Sequence, residues 1–431
     1  MAGSSSDLPP ERPRSRIAAD LRPLRERDFR RLWAGNGVAF IGFQLTAVAV
    51  SVQVYDITRS SFYVGLLGLV SLVPLVGFGL WGGAVADAVD RRRLLLISSA
   101  VMWAVTWALF AQALLGGHSV TLILALVAVQ SAGFAVASPT RSAFIPRLLA
   151  VELIPAANTL AFTASSVGLV TGPLIAGVVI GRQHHYTAAY GIDALLFSLA
   201  LYAAWQLPPL PPLGEITRPG LRAVIGGLQF IAGRPVLLMS FVVDIIAMVL
   251  AMPRALFPEV GEVRFGGGAA VGWLYASIAI GSVVGGLLSG WIGRVRRMGL
   301  ALVVAIVAWG VAVAVSGLAH RLWLVVALLA VAGAADLVSA VFRQTILQTY
   351  APDEMRGRLQ GVFVVVVAGG PRLGDLRAGA TAAVFGVTTS WVAGGVLCAV
   401  AVVVAAVSVP TFLRYDASAP AATNRSDTSP S

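Results

Sequence analysis

Lysine is missing from this chain: all 31 basic residues are arginine. Schiff-base catalysis, the lysine of a phosphate-binding loop and the nucleotide-binding lysine of a kinase are therefore excluded. Charge of either sign is scarce. Only 12% of the 431 residues are charged, 58% are hydrophobic, and the mean hydropathy is +0.85. Soluble globular chains carry about 25% charged and about 45–50% apolar residues. The balance here excludes a disordered chain and argues against a soluble enzyme. Cysteine occurs once, as Cys398 inside an apolar run, so no intrachain disulfide can form and an inert buried thiol is expected. The four histidines, His118, His184, His185 and His320, form no cluster with metal-ligand spacing. His184-His185 reads as a polar loop. No metal and no cofactor are expected.

Apolar runs are what the chain has in quantity. A membrane-spanning helix needs about 20 apolar residues, and the content suffices for a dozen. Segments fall at 33–54, 62–86, 94–116, 119–139, 158–181 and 187–207, then at 236–258, 269–291, 298–318, 321–342, 359–385 and 389–413. A backbone in lipid must satisfy its own hydrogen bonds, so these are helices. The fold class is all-α membrane protein with twelve spans. Residues 1–32 form a polar tail with no signal-peptide core, and Asp28 to Trp33 lead into the first span with Trp33 near the headgroups. Residues 33–207 make an N-terminal six-helix half. Residues 208–235 make a linker: a proline-rich stretch, then Gly220 to Pro235 as an amphipathic helix on the membrane surface. Residues 236–413 make the C-terminal half, and 414–431 a second tail.

The net charge of +11 would point to nucleic acid in a soluble protein. Its placement points elsewhere. With the N-terminus cytoplasmic, the inner loops and tails hold 24 arginines and the outer loops four, Arg59, Arg182, Arg264 and Arg321. That asymmetry obeys the positive-inside rule, so both termini are expected in the cytoplasm. The lipid bilayer is the expected partner, with no nucleic acid.

The two halves repeat. Gly83, Asp87, Asp90 and Arg91 follow the second span; Gly286, Gly290, Gly293 and Arg294 follow the eighth, 203 residues later. Arg141 answers Arg343, Glu152 answers Glu354 and Gly172 answers Gly374, each at an offset of 202. Parallel six-span repeats are a transporter architecture.

The stretch Gly82 to Arg93 resembles the loop 2–3 signature of the major facilitator superfamily, and the degenerate copy in loop 8–9 fits the same family. Tyr55-Asp56-Ile57-Thr58, Pro139-x-Arg141-x-Ala143-x-Ile145-Pro146, Gly172-Pro173-x-x-x-Gly177 and Gly357-Arg358-x-Gln360-Gly361 are similar to the multidrug and siderophore exporters of that superfamily. The resemblance covers residues 24–413. It implies alternating access and proton-driven efflux. It also implies that Gly83, Asp87 and Arg91 latch the outward-open state against helix eleven near Met355 to Arg358. Gly290 in place of an Asp implies a weaker second latch. Gly168, Gly172, Pro173 and Gly177 resemble a shortened antiporter motif in helix five. There proline kinks the helix and glycine admits a neighbour.

Seven ionisable residues lie inside spans: Asp193, Asp244, Arg254, Asp336, Arg372, Asp375 and Arg377. Each costs roughly 2.5–3.5 kcal/mol on insertion scales, so each needs a partner or a task. Asp244, Asp336, Arg343, Arg372 and Asp375 are expected to form one polar cluster, with Arg372 and Asp375 paired at i,i+3 and either Asp244 or Asp375 exchanging a proton. Asp193 is expected near the outer end of helix six in a structural role. Arg254 is expected to snorkel at the outer end of helix seven. Gln44, Gln53, Gln130, Trp103, Trp107 and Phe134 are expected to face the cavity.

The expected function is a secondary transporter in the bacterial cytoplasmic membrane, a monomer exporting a small amphipathic drug or siderophore against protons. Importer or symporter, and non-transporting scaffold, are the alternatives. A catalytic role finds no GxSxG, metal pair or phosphate loop.

Overall fold

The computed structural model describes residues 20–181, 186–211, 221–350 and 355–415. The tail up to residue 19, His184-His185, the proline-rich stretch 212–220 and Glu354 lie outside the described residues, as do the side chains of 80–88, 356–358 and 360–361.

Twelve long helices run through the described residues: α1 Arg27–Thr58, α2 Ser61–Ala88, α3 Arg91–Leu114, α4 Val120–Ser142, α5 Ile154–Ile180, α6 Tyr186–Trp205, α7 Pro235–Ala251, α8 Gly268–Leu287, α9 Met298–Leu318, α10 Leu322–Tyr350, α11 Arg356–Phe385 and α12 Val387–Ser408. No strand occurs among the described residues. Eleven of the helical stretches are long and apolar enough to cross a membrane; α11, with its internal charges, is the exception. Large apolar side chains face outward along the helices, among them Val178, Leu199, Val304 and Val404. In water such a surface would be costly; against lipid tails it is neutral.

The packing follows the repeat. In the first half α1 lies against α5 and α6, α2 against α4, and α3 against α4 and α6. In the second, α7 lies against α11 and α12, α8 against α10, and α9 against α10 and α12. The halves meet chiefly through α2–α11 and α5–α8, two pairings that the repeat interchanges. The linker helix Leu221–Ala232 packs on α7 and α11 and leaves Ile225 and Leu228 half exposed, as an interfacial helix would.

Lipid supplies no hydrophobic drive between helices, so small residues and interhelical hydrogen bonds hold the bundle. Gly281 and Gly285 of α8 pack on Ala330 and Ala334 of α10. Trp391 of α12 donates to the Val313 carbonyl at 3.0 Å and the Ser316 hydroxyl at 3.1 Å on α9. Gln53 of α1, Gln112 of α3 and Tyr190 of α6 form a closed buried network, with Tyr190 donating to Gln53 at 2.7 Å and Gln112 donating back at 3.0 Å.

Several span boundaries differ from expectation. The first helix begins at Arg27, and Trp33 donates to the Leu160 carbonyl of α5 at 2.9 Å instead of resting among headgroups. The seventh span is not one helix to 258. The apolar stretch runs from Pro235 to Phe265, but its helix stops at Ala251, turns at Pro253 and resumes as a short helix Phe257–Phe265. Proline has no amide proton and fits the first turn of a helix, so Pro253 and Pro258 permit a break that hydropathy does not register. The tenth span runs on to Tyr350.

Candidate functional site

The bundle has a terminal end, where α1 begins and α12 ends, and an opposite, far end. At the far end the seam between the halves is closed by polar and backbone contacts. Arg59, the last residue after α1, takes a left-handed conformation with φ 51°. Its guanidinium bonds Glu262 of the short helix and lies 3.9 Å from Asp56. The Glu262 carboxylate accepting from Arg59 raises the arginine pKa above its ordinary value. The Ser61 hydroxyl donates to Glu259 of the same short helix.

The helices below these loops approach as backbones. A Cβ built on Gly177 would lie 2.8 Å from the Gly268 carbonyl oxygen and 2.9 Å from the Gly272 Cα. One built on Gly272 would lie 2.6 Å from the Pro173 carbonyl oxygen. Gly65 and Gly68 of α2 meet the Asp375 and Arg372 carbonyls of α11 equally closely. Further along α2, a Cβ on Gly77 or Gly79 would meet nothing within 4 Å among the described residues.

Below this closure, on the seam, lies a cavity of about 240 Å³. Gln44, Ser51 and Gln130 line it from the first half, and Arg254, Arg372 and Asp375 from the second. Phe43 and Tyr275 add ring surface. Asp375 is the only carboxylate among its lining residues, and its Oδ1 has no hydrogen-bond partner. Arg254 and Arg372 both act on that carboxylate through their charge.

The residues expected to form one cluster divide into two groups. Asp244 and Arg343 make a buried ion pair between α7 and α10, with side chains 2% and 3% exposed and outside the cavity lining. Arg343 also lies 5.5 Å from the Phe363 ring. Asp375 and Arg372 belong to the cavity. They form no ion pair within 4 Å of each other; the Arg372 guanidinium donates back to the Ala368 carbonyl one turn earlier on the same helix. Asp336 stands between the groups, within electrostatic reach of both Arg343 and Arg254.

Arg254 is the functional residue that sequence reasoning placed wrongly. It does not snorkel. The break at Pro253 turns it inward, and it lines the cavity. The available signal was the proline directly before it. Arg377 does reach other helices: it donates to the Val249 carbonyl at 3.1 Å, to the Leu250 carbonyl and to the Ser390 carbonyl at 3.3 Å, tying off the C-terminal end of α7. Asp193 is fully buried about two turns into α6. It accepts from Thr46 at 2.6 Å and lies against Gly42.

Of the six side chains expected to face the cavity, Gln44 and Gln130 do. Gln53 is consumed in the network with Gln112 and Tyr190, and Trp103 donates to Ser198 at 2.7 Å. Trp107 lies edge-on between Trp103 and Phe110, and Phe134 lines a different pocket.

In helix five, Gly168 meets Phe40 and Gly172 meets Gln44, both on α1, while Pro173 and Gly177 face α8. In the loop after α2, the Asp90 carboxylate caps α3, accepting from the Arg92 amide at 2.8 Å and the Arg93 amide at 3.2 Å. The Arg91 amide donates to the Leu210 carbonyl at 3.1 Å. Gly83 and Asp87 are helical, with side chains outside the described residues. In the second copy, Gly286 ends near Leu337. Gly290 and Gly293 sit in the 3-10 turn Ser289–Arg294 with open space around them, and Arg294 is exposed. Gly290 is therefore not part of a helix-packing face. No cluster of His, Cys, Asp and Glu that could hold a metal occurs among the described residues.

The profile of the transmembrane secretion effector family matches residues 18–428. The chain belongs to this family of major facilitator transporters. Among curated relatives, the enterobactin exporters of Shigella boydii serotype 18 and of Escherichia coli O139:H28 are each 27% identical over 369 residues, which is 85% of this chain and 88% of theirs. The fold is also that of a solved bacterial homologue of the human lysosomal transporter Spinster, with a TM-score of 0.68, 15% identity, and 91% of this chain and 96% of that one covered. As a major facilitator protein this chain is a multi-pass membrane transporter, and a small molecule is its cargo.

Proposed function

We propose that the protein exports a small amphipathic compound, a drug or siderophore, from the bacterial cytoplasm in exchange for protons, by alternating access. The observation that carries this reading is the cavity on the seam, closed at the far end, whose single carboxylate faces two arginines. The arginine asymmetry supports a cytoplasmic terminal end. The closed end then faces outward, and the cavity takes its cargo from the inside. The kinship to enterobactin exporters supports the outward direction.

In this scheme Asp375 carries the proton. Its carboxylate attracts Arg254, on the segment after α7, and Arg372, on α11, without a direct ion pair to either. Protonation removes that attraction and changes the balance between the two access states. A ligand or proton shifts such a balance only by its differential affinity for the two states. Asp244 is a weaker candidate because its charge is already spent on Arg343.

Inverted membrane vesicles test the direction and the coupling together. Labelled cationic, neutral and anionic amphiphiles would be offered at the outer face, which is the cytoplasmic one. The proposal expects accumulation of at least one class when the lumen is acid. Accumulation only when the lumen is alkaline would mark a symporter, and no gradient-dependent movement of any class would refute the reading.

A further inference from the structure

A second pocket, about 200 Å³, lies between α1, α4 and α5 near the terminal end of the first half. Trp33, Phe40 and Phe134 supply rings to its wall, and Asn36 and Ser138 supply polar groups. Among the described residues no carboxylate lines it, and Arg141 of α4 is the single cation on its wall. The Arg141 Nε is shut off from solvent and has no hydrogen-bond partner. Arg141 makes no ion pair among the described residues.

The repeat shows why this cation is free. Its counterpart 202 residues later, Arg343, is neutralised by Asp244. The position that answers Asp244 at the same offset is Gly42. The carboxylate beside Gly42 is Asp193, and it is engaged with Thr46 and not with Arg141. One half of the molecule thus spends its buried arginine on an internal pair, while the other leaves its half-buried arginine facing a pocket. A charge partly withdrawn from water gains from a counter-ion. The pocket also leads onward: Phe134 on its wall stacks on Phe43 of the central cavity, with ring centroids 5.2 Å apart and planes at 14°.

We propose that this pocket binds the acidic head group of an aromatic acid, with Arg141 as its counter-ion, and that it is where the exported compound is captured on the cytoplasmic side. This rests on the export reading above and narrows the cargo from amphiphiles in general to amphipathic acids. The rings offer stacking surface to the aryl group, and Phe43 with Phe134 forms the step by which it passes to the central cavity.

The test is equilibrium binding to the full-length protein in lipid nanodiscs, by calorimetry, with 2-naphthoate and its neutral near-isostere 2-naphthamide. The acid should bind at least tenfold more tightly than the amide. Arg141→Gln should bring that ratio near one, Arg141→Lys should keep several-fold preference, and Arg321→Gln, at the exposed residue before α10, should leave the ratio high. Because the ratio is read within each protein, a variant that folds less well lowers both affinities and leaves the comparison intact. A wild-type ratio near one, no binding of either probe, or a ratio kept in Arg141→Gln would overturn the proposal. Binding needs no gradient. Failed transport with the ratio intact would therefore count against export and leave the site standing.

Discussion

Gly272→Ala should force the far end of the transporter open. In the closed seam the new methyl would lie 2.6 Å from the Pro173 carbonyl oxygen and 2.9 Å from the Gly177 Cα. A close C–H···O contact is about 3.3–3.6 Å, so α5 and α8 must part by roughly 0.7 Å. Both neighbours are backbone, which cannot rotate aside as a side chain can. Overpacking of this kind costs about 1–3 kcal/mol. If the far-end-open state lacks the contact, the cost falls on the closed state alone and shifts the equilibrium about 5- to 150-fold. The assay is a spin-label distance across the seam, between cysteines replacing Tyr63 on α2 and Val263 on the short helix, which are 40% and 76% exposed. The native Cys398 is fully buried and should not interfere. The long-distance population should grow in Gly272→Ala and dominate in Gly272→Val. Distance distributions unchanged in both variants would refute the claim that this backbone contact closes the far end.

Asp244→Asn should leave the Arg343 guanidinium buried without a counter-ion and lower stability by about 3–5 kcal/mol. The thermal melt of the detergent-solubilised protein would show this, and Asp244→Leu combined with Arg343→Met should recover most of the loss. Gly394→Ala would press a methyl against the Leu250 carbonyl oxygen, 2.7 Å from Arg377 Nη2, so α12 must move off α7. It should cost about 1–3 kcal/mol in the thermal melt, and Arg377→Met should not relieve that cost, because the clash with the backbone carbonyl remains. Glu262→Gln removes the ion pair at the far end. Arg59 there is 60% exposed, so the spin-label distances should move by less than about 1 kcal/mol of population, and high salt should mimic the change.

The spans and the repeat were legible because length and apolarity act over whole segments. Partnering was not, because it depends on what other helices bring. Gln53 and Gln44 look alike in the sequence, each a single amide in an apolar run. Gln112 and Tyr190 claim the first, while the second faces the cavity. Arg372 and Asp375 have the spacing of a helical ion pair, yet the guanidinium turns back to the Ala368 carbonyl of its own helix instead. Asp244, Asp336, Arg343, Arg372 and Asp375 were grouped by half of the chain, and the fold sorts them by seam and interior. Arg254 was misplaced because apolar residues continue past Pro253, so hydropathy sees one span where the backbone turns. The free Arg141 could have been suspected from the repeat alone, since Gly42 stands where the second half has Asp244.

The central claim is that Asp375 couples proton movement to cargo movement, and Asp375→Asn tests it directly. An amide cannot exchange a proton but still fills the carboxylate's place in the cavity. In proteoliposomes the variant should retain counterflow exchange of labelled cargo and lose accumulation driven by an imposed pH gradient. Gradient-driven accumulation equal to that of the wild type would contradict the account.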